Sequence, residues 1–247
     1  MLSLTKTNLA EIVKKQYFHK LRANIDAFSA LVGIQVLAIL FSLGGVGSSG
    51  MSGSGLEVNS KYYSSDVVLI FTMIWAFVSA ITINTRQNRL QDFTFVTNRV
   101  SSSVSNLLFL ATAGFLGSIT AILAGNLFQV IFFFIKNQPI YSVRSGLAEA
   151  MTGIGITFLY VLLVSSIGYF ISSVTSISKI FVFIIPVLIF GIMAAGEIIL
   201  PAGFLNDVIK FYAGEKSVVL FALKALSTAG LFYTAGIAVL QRMEVRR

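Results

Sequence analysis

Six stretches of this 247-residue chain are long, apolar and free of charge: residues 27–46, 67–85, 100–135, 150–178, 180–196 and 225–241. At 1.5 Å rise per residue, about 20 apolar residues in a helix cross a hydrocarbon core roughly 30 Å thick. Only helices and closed barrels satisfy their own backbone in lipid, and runs of this length belong to helices. The expected fold class is therefore all-α: a polytopic membrane protein with six transmembrane helices. The flanks between these runs sort the basic residues. Alternate flanks beginning with the N-terminus hold twelve of the 18 Lys and Arg, and the others hold six. An excess of Lys and Arg marks the cytoplasmic side, so both termini are expected there.

Composition narrows the function classes. Only 11% of residues are charged against 56% hydrophobic, where soluble domains carry about 25% charged residues. The net charge of +8 could suggest nucleic acid, but its concentration on one membrane side fits attraction to anionic lipid better. No nucleic-acid partner is expected. The chain has no cysteine and one histidine, His19, which argues against a zinc site or a His-based nucleophilic triad. No Gly-Lys dipeptide occurs, so there is no Walker A phosphate loop. No enzyme activity, metal or cofactor is expected of the chain itself. The first apolar run is of span length, longer than the core of a cleavable signal peptide.

Several segments between the spans carry pattern. Residues 8–26 read as an N-terminal interfacial helix: Leu9, Val13, Tyr17, Leu21 and Ile25 recur every four residues as one apolar stripe, and Lys14, Lys15 and Lys20 lie off it, with Arg22 a further basic residue of the helix. Asn8 and Glu11 have capping-box spacing, with Asn in place of the usual Ser or Thr. Residues 44–55 are almost all Gly and Ser, which predicts a flexible loop. Asp66 stands where it can cap the second span. Residues 84–103 mix Arg86, Arg89, Asp92 and Arg99 with Phe93 and Phe95. Such a segment suits docking on another protein, with aromatic anchors and an arginine rim; lying on lipid headgroups is the alternative.

Within the third run, Ala113, Gly117, Ala121 and Gly125 repeat at four-residue spacing. Small residues let helix backbones approach closely in lipid, so this face is expected to be a packing seam, within the subunit or between two. Asn126 and Gln129 near its outer end either line a polar path or bond a neighbouring helix. Gln35 and Glu197 complete the candidate path groups; intramembrane ionisable residues are functional candidates. Residues 201–217 carry apolar residues at helical spacing and read as an outer amphipathic or re-entrant segment. The last span is short unless it begins near Ser217, with Lys224 snorkelling to the outer surface.

This arrangement resembles the permease subunits of ABC-2-type ATP-binding cassette transporters over the whole chain, as one transmembrane domain covering 1–247. The parts that carry the likeness are the N-terminal elbow helix (8–26), six spans with both ends inside, a cytoplasmic coupling segment (84–103) and an outer segment before the last span (201–217). The Glu-rich, Gly-Thr-containing coupling pattern often found in that family is missing. The resemblance implies a permease in a bacterial cytoplasmic membrane, paired with a second permease subunit. It also implies a separate ATPase subunit that binds the ATP. Small members of the family export peptides or antibiotics. A channel or secondary transporter, and a membrane assembly protein without transport, are the other classes considered. The basic-residue count makes one prediction at once. Cysteines introduced at Ser52 and Ser142 should react with an impermeant thiol reagent outside intact cells, and one at Ser101 should not. Labelling at position 101 alone would reverse the orientation.

Overall fold

The computed structural model describes residues 9–45, 47–53, 56–85, 87–89, 99–136, 146–178, 180–185, 187, 191, 207, 210–212, 214, 215 and 217–242; for 48–53, 56–62, 99 and 136 it describes the backbone alone. The main elements are α1 (Leu9–Ala23), α2 (Ile25–Leu43), β1 (Gly47–Gly53), β2 (Leu56–Tyr62), α3 (Asp66–Ile83), α4 (Arg99–Lys136), α5 (Leu147–Thr175) and α6 (Val218–Arg242). Among the described residues, α2 to α6 are five helices long and apolar enough to cross a membrane. The chain is a multi-pass α-helical membrane protein. The expected span at 180–196 lies mostly outside the described residues. The last span does begin near Ser217, which gives it 25 residues.

Helix α5 is the hub. Its most extensive contacts are with α3 and α6, and it also packs on α4. A methyl group built at Gly168 would sit 2.7 Å from the backbone oxygen of Phe77, so α3 and α5 meet there almost backbone to backbone. On the other side of α5, Gly236 of α6 faces Tyr169 and Ser173, with 3.0 and 3.1 Å left for a Cβ. Gly114 of α4 faces Val161 at 3.1 Å. In lipid, where apolar surface is satisfied everywhere, such close approach is the main source of helix association.

The small-residue face of α4 is filled from inside the subunit. Ala113 and Ala121 are buried. Gly117 abuts Trp75, Thr72 and Leu31, and Gly125 abuts Ser65. Of the two uses expected for this seam, the structure takes the one within the subunit. Trp75 reinforces it by donating its indole N–H to the Ala27 carbonyl at 2.8 Å. Because Gly125 lies level with Ser65, just before α3 begins, the residues of α4 beyond it run about 16 Å past the start of α3.

Three local expectations change. The Gly/Ser loop is a β-hairpin: β1 and β2 pair antiparallel from Gly47↔Tyr62 to Gly53↔Leu56. Backbone ladders need no side chains, and β2 (LEVNSKY) alternates at the period of a strand. Asp66 is the first residue of α3 rather than its cap; Ser65 precedes it, and the Asp66 N–H donates to Ser64 Oγ at 3.1 Å. Ser101 is buried, so protection of a cysteine there reports packing as well as sidedness; exposed Gln87 is the cleaner probe.

The glycine contacts lead to a paired stability test. Gly168→Ala should lower thermal stability in detergent, by about 1–3 kcal/mol for a methyl forced on backbone. Gly230→Ala meets nothing within 4 Å and should be neutral or stabilising by up to about 1 kcal/mol. Equal effects at both positions would contradict the α3–α5 contact.

Candidate functional site

Helix α1 seats on α4, far more than on the α2 that follows it. The chain breaks between them at Asn24, whose side-chain amide donates to the Lys20 carbonyl at 2.9 Å. The buried face of α1 takes only Val13 from the apolar stripe, with Tyr17 and Leu21 half-buried beside it. It is Val13, Gln16 and Lys20, while Leu9 and Ile25 are exposed. The reason lies in the surface it meets: the first turns of α4 read RVSSSVSN. The Lys20 ammonium donates to the Ser102 carbonyl at 3.2 Å, to Ser105 Oγ at 2.8 Å and to Asn106 Oδ1. Three donors meet three oxygens, which is what burial of an ammonium requires. Lys20 was expected off the buried face and stands at its centre instead. Lys14, Lys15 and Arg22 are exposed and Tyr17 is half-buried. Lys15 pairs with Glu11 at 2.8 Å and, by its hydrogen bond and charge, holds that carboxyl below its ordinary range.

Of the segment between α3 and α4, Arg89 is part-buried and Asn84 is buried, donating to Ser173 Oγ of α5 at 3.1 Å. Arg99 opens α4. Arg86, Asp92, Phe93 and Phe95 lie outside the described residues. Ser172 adds a second tie between α5 and the end of α3, donating to the Ile81 carbonyl at 3.1 Å.

Of the candidate path residues the structure describes, Gln35 stands apart from Asn126 and Gln129. Gln35 is buried inside the bundle, where its amide nitrogen donates to Thr72 Oγ1 at 3.2 Å, Thr120 Oγ1 at 3.0 Å and the Gly117 carbonyl at 3.5 Å. It joins α2, α3 and α4. Asn126 and Gln129 border a cleft of about 200 Å³ between the start of α3, α4 and the start of α5. Ser65 and Glu149 supply its other polar groups. Glu197 lies outside the described residues.

The residues before α6 are fastened to it. Lys224, expected to snorkel outward, pairs with Glu215, lies 4.2 Å from the centre of the Phe211 ring and donates to the Phe211 carbonyl at 3.3 Å. Tyr212 and Thr228 share a hydroxyl hydrogen bond of 3.0 Å. Phe221 packs on Tyr160 of α5, with ring centres 4.7 Å apart. The ammonium reaches toward the end of α6 to which it was expected to snorkel, and meets a carboxylate and a ring there. Neither Glu149 nor Glu215 stood out in the sequence; the signal for Glu215 was its place nine residues before a lone intraspan lysine.

A double-mutant cycle of Glu215→Gln and Lys224→Met, followed by thermal unfolding in detergent, should show coupling of about 1–2 kcal/mol, between the values for exposed and buried pairs. Additive single effects would mean that the two charges do not support each other. Compared with family models, curated proteins and solved structures, the chain gives no match.

Proposed function

We propose that the chain is the membrane-spanning permease subunit of an ATP-driven exporter. The observation that best supports this is the seat of α1. A short helix with a basic exposed face, separated from the first span by the break at Asn24, is bonded to the first turns of α4. Those turns overlap the end of residues 84–103, the proposed coupling segment, so elbow and coupling segment meet at one end of one helix. In this reading that end is cytoplasmic, residues 180–196 form the sixth span, and the membrane is a bacterial cytoplasmic membrane.

A separate ATPase subunit binds the ATP and docks on residues 84–103, with Phe93 and Phe95 as anchors and Arg86, Arg89, Asp92 and Arg99 around them. Its motion passes through α4 and the buried ties of Asn84 and Ser172 to α5. A second permease subunit completes the path. Gln35 is spent on packing inside the bundle, and the Ala113–Gly125 face is occupied by α2 and α3. Both facts favour a path between two subunits over one through a single subunit, with the interface on other faces. Sparse charge and aromatic-rich spans suit an amphipathic cargo such as a peptide or antibiotic.

Replacing Phe93 and Phe95 together with Ala should weaken copurification of the ATPase subunit at least tenfold while membrane insertion stays normal. Undiminished copurification would remove the docking role from this segment.

A further inference from the structure

The face that α1 turns to α4 contains one polar group that is served and one that is not. Lys20 has three oxygen acceptors. Gln16, one helical turn earlier, is 1% exposed, and neither its amide nitrogen nor its amide oxygen has a hydrogen-bond partner. It is more deeply buried than Lys20 or Val13 on the same face. A side-chain amide makes up to four hydrogen bonds in water, and burying it with none is among the costlier arrangements in a folded chain. Such groups persist where another state of the protein serves them.

From this we infer that the seat of α1 on α4 is built to open, and that Gln16 sets how readily it does so. Seated, α1 is held by Lys20 and by Val13. Lifted, it hydrates Gln16, which offsets part of the loss at Lys20. The two residues sit at i and i+4 on one face, so they meet water or protein together. The break at Asn24 supplies the hinge, since the α2 backbone beyond it is tied to α3 through Trp75 and Ala27. Lys14, Lys15, Phe18 and Arg22 are exposed in the seated position and lose no burial on lifting, while Leu21, packed against the core, adds to what holds the seat. The inference concerns the elbow alone and does not depend on a cargo or an ATPase.

The chain has no native cysteine, so a single cysteine at Val13, buried in the seat, reports opening through its rate of reaction with an impermeant maleimide on purified full-length protein. In that background Gln16→Met keeps the length of the side chain and removes the amide. It should slow labelling about tenfold, equivalent to about 1.4 kcal/mol. Lys20→Met should speed labelling, and Lys15→Met, at an exposed position, should leave it unchanged. Amide hydrogen exchange of α1 in the cysteine-free chain provides a second readout: Gln16→Met should protect residues 13–20. An unchanged or faster rate with Gln16→Met would overturn the inference, because the amide would then be served in the seat. An equal slowing by Lys15→Met would do so as well, since the effect would not belong to the buried face.

Discussion

The bundle depends on how closely α3 and α5 approach at Gly168. Apolar side chains gain nothing by leaving lipid for one another, so helices in a bilayer associate through close packing and hydrogen bonds. With a carbonyl oxygen 2.7 Å from where a Cβ would stand, no larger residue fits without moving a helix. Around that point α5 presents small polar residues to its neighbours. Ser165 shares a hydrogen bond with Tyr233 of α6 at 2.9 Å, and Ser172 and Ser173 reach the end of α3. One helix thereby fixes two others. The α4 seam does the same for α2 and α3, through Gly117 and Gly125.

The buried amides of Gln35 and Gln16 have different surroundings. Gln35 in the core finds acceptors for its amide nitrogen on two other helices. Thr72 and Thr120 also bond their own backbones, at 2.8 and 3.0 Å. The elbow joint instead combines a satisfied ammonium with an amide that has no partner.

Much of this was legible from run length and spacing. Run length gave six spans, of which five are helices among the described residues, and the four-residue repeat from Ala113 to Gly125 identified a true contact face. Its partner was not legible, because spacing says that a backbone comes close and not whose. The α5 surface escaped notice since Ser165, Gly168, Ser172 and Ser173 mix two spacings and sit among Tyr169 and Ile171. Lys20 was placed outside because a lysine is buried only when specific oxygens await it, and those lie more than 80 residues further along the chain. The hairpin could have been found: Leu56, Val58, Ser60 and Tyr62 alternate with Glu57, Asn59 and Lys61.

The proposal that the chain is a driven component rather than a self-powered one rests on the seat of α1 beside the proposed coupling segment. Transport in reconstituted vesicles tests that most directly. Vesicles holding the purified chain alone should show no flux of ions or amphipathic solutes, with or without an ion gradient. Adding the ATPase subunit that copurifies with it should produce solute movement that requires ATP hydrolysis. Flux through the chain alone, driven by an ion gradient and indifferent to ATP, would contradict the account.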